Sequence, residues 1–135
     1  SFLKDNIEPI EKSGQLVFLR KDRDSYLTQC PLGFHVLFVD GHTEKQMIPV
    51  ITHKGQKIAF AADLVPTAGH IPLPYIPGYD IRPLTSLREK ELFLNFCNDN
   101  NVFLFFEHDS DINLASLKKT EKGVRINEKL NICDL

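Results

Sequence analysis

The sequence predicts an α/β or α+β domain built on a mixed β-sheet with flanking helices. Its first half holds a series of short segments rich in β-branched and aromatic residues and separated by glycine or charged turns, at residues 15–20, 26–29, 33–40, 46–52 and 56–62. A helix-like segment then precedes the unbroken apolar run 102–106, which is typical of a strand covered on both faces. Helical and strand-like segments therefore alternate, as in a mixed sheet.

Length and composition predict one folded domain over residues 1–135. Of these residues 42% are hydrophobic and 25% are charged, as in folded globular proteins. The 16 basic and 18 acidic residues give a net charge of −2, which argues against a nucleic-acid-binding surface. No apolar run approaches the roughly 18 residues that cross a bilayer, and the first residues lack the pattern of a signal peptide. We therefore expect a cytoplasmic protein that contacts neither nucleic acid nor membrane.

The remaining elements follow from turn and capping signals. We expect a helix over residues 2–10 that Pro9 and Ser13-Gly14 end, and a hairpin turn at 53–56 in which Gly55 takes a positive φ. Five prolines between residues 66 and 83 predict a long ordered loop. Ser86 and Glu89 have the spacing of a capping box, so a helix should begin there and end at 98–101. Edge strands are expected at 113–119 and 123–127, and reduced, buried thiols at Cys30, Cys97 and Cys133.

Three of the predicted strands lead into side chains that can bind metal. The run 36–39 leads to His42, the run 58–62 leads directly to Asp63, and the run 102–106 leads to His108. Ligands gather at the carboxyl ends of strands in α/β sheets, so neighbouring strands would bring these three side chains together. Two imidazoles and a carboxylate suit zinc, iron or manganese, and zinc is the commonest choice for such a set. The alternatives are structural histidines that only form hydrogen bonds, and an Asp63 that caps a helix or accepts in a turn.

The same residues resemble a known family. The segments V-D-G-H-T-E-K-Q-M-I-P at 39–49, A-A-D at 61–63 and F-E-H-D at 106–109 resemble the later motifs of the metallo-β-lactamase superfamily, and S-F-L-K-D-N-I-E-P-I with residues 14–16 resembles the helix and strand that precede them. The resemblance implies a four-layer αββα sandwich and a hydrolase of esters, lactones, thioesters or phosphoesters that uses a metal-bound hydroxide. It implies that His42 binds one zinc ion, that His108 binds a second, and that Asp63 bridges them.

One departure from the family limits these expectations. The family's His-x-His-x-Asp-His loop has no counterpart among the five histidines, His35, His42, His53, His70 and His108. The chain therefore resembles the C-terminal half of the fold and lacks the other four metal ligands. We expect weak or absent zinc binding and no activity from this chain alone. The alternatives are a non-catalytic module that homodimerises or docks on a separate N-terminal half, and a small binding domain whose similarity is accidental.

The proline-rich loop carries the predicted substrate contacts. By analogy with the family it would lie beside the metals, with His70, Tyr75 and Tyr79 binding a small-molecule substrate and Arg82 nearby. The alternative is that these residues only pin the loop against the sheet. Near His108, one of the acidic residues Glu107, Asp109 and Asp111 would orient the imidazole, or all three would be solvated.

Overall fold

The computed structural model describes residues 3–131 and 133, and these form one seven-stranded mixed sheet with two helices. The predicted fold class is confirmed. The strands are β1 (Thr28–Gln29), β2 (His35–Val39), β3 (Gln46–His53), β4 (Gln56–Phe60), β5 (Val102–Phe105), β6 (Leu114–Thr120) and β7 (Gly123–Leu130), and the helices are α1 (Lys4–Lys12) and α2 (Pro83–Asp99). Neither of these helices is both long and apolar enough to cross a bilayer.

The strands lie side by side in chain order, and one pair is parallel. β4 and β5 pair in parallel, with Phe60 opposite Phe105, whereas the other neighbours are antiparallel. A parallel pair needs a long crossover, which the proline-rich loop and α2 supply. β2 runs in the same direction as β4 because β3 is antiparallel to both. The carboxyl ends of β2, β4 and β5 therefore lie on the same side of the sheet, where these strands end.

The core lies between α2 and one face of the sheet. Phe93 and Cys97 of α2 are fully buried, and burial raises the pKa of the Cys97 thiol. The sheet contributes alternate residues of successive strands to this core, as the period of two requires. They include Leu37, Val39, Ile48, Val50, Ala59, Val102, Leu104 and Ala115.

The opposite face, which we call the outer sheet face, is apolar and partly exposed. Met47 is 49% exposed and Ile51 is 42% exposed. The rings of Phe60 and Phe105 stack there with centroids 5.9 Å apart. None of the residues of helix α1 is buried, so this helix does not pack closely on the face. The outer sheet face comprises the buried Val36 and Ile58 and the partly buried or exposed residues Phe38, Met47, Pro49, Ile51, Phe60, Phe103 and Phe105.

Several expected elements differ in the structure. Residues 15–20 form no strand, and Phe18 is 81% exposed, because the segment finds no neighbouring strand to pair with. Pro9 lies inside α1 and does not end it. Residues 26–29 contribute only the two-residue β1, and β4 ends at Phe60. The expected turn between β3 and β4 is present, and Gly55 has a φ of 82°.

The predicted capping box is wrong. Helix α2 begins at Pro83, whose fixed φ suits a first helical position, so Ser86 is buried inside the helix and makes no capping bond. Its partner Glu89 serves the site described below. At the other end of the chain, β6 lies between β5 and β7 and is therefore an interior strand. Cys30 and Cys97 are buried as expected, whereas Cys133 is exposed.

Candidate functional site

Three side chains converge where β2, β4 and β5 end. His42 follows β2, Asp63 lies in a 3₁₀ turn after β4, and His108 follows β5. The Nε2 atom of His42 lies 3.5 Å from Oδ2 of Asp63, and the Nε2 atom of His108 lies 3.4 Å from Oδ1. The carboxylate of Asp63 thus lies between two imidazoles and presents one oxygen to each.

These contacts place hydrogen-bond acceptors face to face. The Nδ1 atom of His42 lies 3.0 Å from Oδ1 of Asp80. When the ring is neutral and donates its Nδ1 proton to Asp80, the Nε2 lone pair faces the Asp63 carboxylate. A proton or a cation between the two acceptors would stabilise this arrangement. The geometry therefore favours the binding of positive charge beside Asp63.

The turn that carries His42 is held by helix α2. Both carboxylate oxygens of Glu89 accept backbone N–H groups of the turn, from Asp40 at 2.8 Å and from Gly41 at 2.9 Å. The Arg82 backbone N–H donates to the Gly41 carbonyl at 2.8 Å. A Cβ atom on Gly41 would lie 2.4 Å from the backbone nitrogen of Ser86. Only glycine allows the turn to approach the helix this closely.

Asp63 is presented by an unusual backbone. Ala62, which precedes it, has a φ of 46°, a left-handed conformation that is uncommon outside glycine. Strained backbone of this kind concentrates at functional sites. The Ala61 N–H donates to the Phe105 carbonyl at 2.9 Å, which ties this turn to β5. The Gln46 side-chain amide donates to Oδ2 of Asp63 over 3.4 Å.

Asp109 organises the loops around His108 without contacting its imidazole. Its carboxylate accepts the backbone N–H groups of Ala68, Asp111 and Ile112 at 2.9 to 3.0 Å. Desolvation acts to raise the pKa of this carboxyl, but the three hydrogen bonds outweigh it and hold the pKa below its usual range. The backbone N–H of His108 donates to the Pro66 carbonyl at 3.1 Å. The sequence offered two predictions for this acidic cluster, an orienting role for one member or a solvated loop. The structure shows a different role for Asp109, which joins two loops through backbone hydrogen bonds.

A buried lysine holds the proline-rich loop. Lys90 of α2 is fully buried, and its ammonium donates to the carbonyls of His70 at 3.0 Å, Pro72 at 3.3 Å and Tyr75 at 2.7 Å. These three bonds fix the loop against the helix. Desolvation lowers the pKa of Lys90 to about 8, although the negative charge of Asp80 opposes the shift.

Of the predicted substrate contacts, the structure places Tyr79 beside the convergent side chains. Its ring packs edge-on against His42 with centroids 5.5 Å apart, and the side chain is 61% exposed. Desolvation and the charges of Asp63 and Asp80 raise its pKa. His70 forms a hydrogen bond within its own loop, between its Nδ1 atom and Thr67 Oγ1 at 2.8 Å. Desolvation and the neighbouring Lys90 lower the pKa of His70. Tyr75 is exposed, and its backbone carbonyl binds Lys90.

Known structures share this arrangement of strands and helices. No protein-family model and no curated protein matches the chain. A probable metal-dependent hydrolase from Staphylococcus aureus is 22% identical, with a TM-score of 0.67 over 88% of this chain and 42% of its own. AidC, a dizinc quorum-quenching lactonase, is 18% identical, with a TM-score of 0.66 over 80% of this chain and 37% of its own. The hydrolase AbOPH of the β-lactamase superfamily is 18% identical, with a TM-score of 0.74 over 95% of this chain and 43% of its own.

The chain has the fold of part of these hydrolase structures. It spans about two-fifths of the length of these structures, from 37% to 43% of each. The resemblance of the sequence to this superfamily is therefore confirmed at the level of the fold. The likeness also agrees with a half-domain.

The donors present have the chemistry that zinc prefers, but they are too few for a complete site. Each imidazole has one oxygen of Asp63 beside it, so a metal at either position would find two ligands here, whereas zinc in proteins takes four. Among residues 3–131 and 133, no group of three or more His, Cys, Asp or Glu side chains is placed to hold one ion. The described residues thus present donors of the right chemistry for zinc in an incomplete set.

Sequence reasoning missed the residues that support the donors. Asp80, Glu89 and Lys90 belong to segments with no metal motif, and they reach the site only because the loop and α2 fold back over the edge of the sheet. Glu89 was assigned to a helix cap, the most common role of that spacing. The one available signal is Lys90, a charged residue on the same face of α2 as the apolar Phe93, Leu94 and Cys97.

Proposed function

We propose that this chain is the part of a metal-dependent hydrolase that provides one imidazole to each of two zinc ions and the carboxylate that joins them. His42 would bind one ion, His108 the other, and Asp63 both. The observation that carries the proposal is the position of Asp63, whose two oxygens face Nε2 atoms of different histidines at 3.4 and 3.5 Å. The metal-dependent hydrolases among the similar structures support it.

The substrate would be an ester, lactone, thioester or phosphoester. Zinc bound at such a centre lowers the pKa of a bound water to about 7 and polarises a carbonyl or phosphoryl oxygen. This chain's residues hold and shape the site. Asp63 keeps the two imidazoles at a fixed separation, and Tyr79 lies exposed beside His42, where its hydroxyl is available to a substrate. His70 and Tyr75 lie on the same loop, which Lys90 holds in place.

The four remaining ligands would come from outside these 135 residues. With two donors per ion, we expect the chain alone to bind zinc weakly and to hydrolyse none of these substrates. Activity would appear only where a further segment or partner completes each coordination shell, and there Asp63→Asn should abolish it.

The chain itself provides the test. Zinc is titrated into it while the imidazole resonances of all histidines are followed by NMR. His42 and His108 should shift together in the millimolar to micromolar range, whereas the exposed His35 and His53 act as internal controls. Asp63→Asn should weaken both responses, and Asp111→Asn, at an exposed carboxylate, should not. Equal shifts of all histidines, or indifference to Asp63→Asn, would exclude the metal centre, and sub-micromolar affinity would contradict its incompleteness.

A second candidate follows from the outer sheet face. We propose as the alternative a non-catalytic module that homodimerises or docks on a separate N-terminal half through this face. The partial exposure of Met47 and Ile51 on an apolar surface favours association. Sedimentation velocity over a range of concentrations separates the two candidates. A monodisperse monomer at the highest concentration would speak against homodimerisation through this face and leave docking on a separate half as the only form of this module.

A further inference from the structure

Asp80 is held against His42 by both its side chain and its main chain. Its side chain is 1% exposed, and Oδ1 lies 3.0 Å from the Nδ1 atom of His42. The next residue, Ile81, donates its backbone N–H to the His42 carbonyl at 3.2 Å. Asp80 also donates its own N–H to the Pro77 carbonyl at 3.2 Å, which closes the turn that carries it. The carboxylate and the imidazole are therefore fixed relative to each other.

This burial is costly and is offset by few contacts. The second oxygen of Asp80, Oδ2, is buried and has no hydrogen-bond partner in the structure. An ionised carboxylate removed from water normally requires full pairing, because its desolvation outweighs a single hydrogen bond. The buried ammonium of Lys90 provides positive charge nearby. The imidazole of His42 is thus the one hydrogen-bonding partner of the Asp80 side chain in the described part of the chain.

We infer that Asp80 is a positioning residue that fixes the tautomer of His42, holding the proton on Nδ1 and turning the Nε2 lone pair toward Asp63. A ring nitrogen facing a carboxylate carries the proton, so the other nitrogen becomes the acceptor. Carboxylates in this relation to a metal-binding histidine also fix the ring orientation. The use of that lone pair for zinc rests on the function proposed above, but the tautomer itself does not.

The tautomer is measured directly in the chain without metal. Long-range ¹H–¹⁵N correlation spectra distinguish a protonated ring nitrogen from an unprotonated one, at a pH of about 8 or above, where an ordinary imidazole is neutral. In the unmodified protein, we expect His42 to be protonated at Nδ1. A ring protonated at Nε2 would overturn the inference without any variant.

Asp80→Asn tests the cause. An amide in place of the carboxylate can donate to Nδ1, so the population of the Nε2-protonated ring should rise, as happens when the aspartate of a catalytic triad is replaced by asparagine. Asp111→Asn is the matched control and should leave the His42 ring unchanged. An unchanged His42 tautomer in a folded Asp80→Asn protein, verified by its backbone amide spectrum, would assign Asp80 to packing alone.

Zinc titration of the same variants separates this inference from the proposed function. If both hold, Asp80→Asn weakens the zinc response of His42 by about 10- to 100-fold and leaves that of His108 nearly unchanged. If zinc shifts neither histidine in the unmodified protein while Asp80→Asn still changes the tautomer, the metal centre fails and the positioning role stands. Equal loss at both histidines contradicts a role confined to His42.

Discussion

At the scale of single residues, Gly41 determines how closely the His42 turn approaches α2. The backbone of Ser86 occupies the space where a side chain at this position would begin. The Glu89 carboxylate then binds the N–H groups of Asp40 and Gly41. The position of the His42 imidazole thus depends on the absence of a single methyl group one residue earlier in the chain.

Gly41→Ala is therefore expected to destabilise the fold by about 1 to 3 kcal/mol, the usual cost of overpacking. The new Cβ atom would lie 2.4 and 2.5 Å from backbone atoms of Ser86, so adding Ser86→Ala should not rescue it. Gly78→Ala is the control, because nothing lies within 4 Å of its Cβ position. Urea unfolding measures both variants. Equal stability of Gly41→Ala and Gly78→Ala would contradict the close approach.

Residues next to a strand end were the ones that the sequence could identify. His42, Asp63 and His108 each follow an apolar run by a few positions, and the direction of the strands then brings them together. Asp80 and Glu89 have no such marker. Their partners lie 38 and 49 positions away along the chain, and only the folded loop and helix reveal them.

At the scale of elements, α2 and the proline-rich loop act as one unit through Lys90. Three loop carbonyls surround its ammonium, and no apolar side chain of the same size could satisfy them. Burial also disfavours the charge, so the pKa of Lys90 falls from 10.5 to about 8. The loop is therefore anchored by an ammonium group whose desolvation makes an unfavourable contribution to the folding free energy.

The free energy of unfolding should depend on pH because the charged form of Lys90 is disfavoured by its burial. Between about pH 8 and 10.5, the folded protein binds fewer protons at Lys90 than the unfolded chain does. The free energy of unfolding should therefore rise across this interval. Lys90→Met should lack this rise, whereas Lys119→Met, at an exposed lysine, should retain it. Urea unfolding at pH 7.5, 9 and 10.5 provides the comparison, and a rise of equal size in Lys90→Met would be contrary to expectation.

The elements that the sequence placed wrongly are those that tertiary contacts decide. Residues 15–20 have the pattern of a strand, but no neighbouring strand lies beside them. Helix α2 begins at Pro83 and not at the expected Ser86. Ser86 therefore lies within the helix, where it packs against the Gly41 turn. The β3–β4 hairpin was placed correctly because two residues of local turn geometry determine it.

At the scale of the whole molecule, the sheet has one covered and one partly exposed apolar face. The run 102–106 suggested cover on both faces, and α2 supplies cover on one. The sequence could not show this difference, because both faces of β5 carry apolar residues whether or not a second layer is present. The fold class itself was predictable, since it needs only the number and type of elements.

The outer sheet face gives the prediction at this scale. Ile51→Lys places a charge on this face and should weaken any self-association through it by about tenfold or more, because a buried, unpaired charge is costly. Thr52→Lys is the control, since adjacent residues of a strand point to opposite faces. Sedimentation velocity or small-angle scattering compares the two variants. Identical behaviour of both would show that copies do not meet through this face.

The parallel pairing of β4 and β5 also sets the order in which the protein can assemble. Asp63 and His108 become neighbours only after the chain has travelled out through the loop and returned along α2, a closure that is slow compared with local turns. His42 reaches its place by the same route, through contacts with Glu89 and Asp80. A chain that is still emerging or only partly folded would therefore display separated donors, and the proposed metal binding would be a late event that reports completed folding.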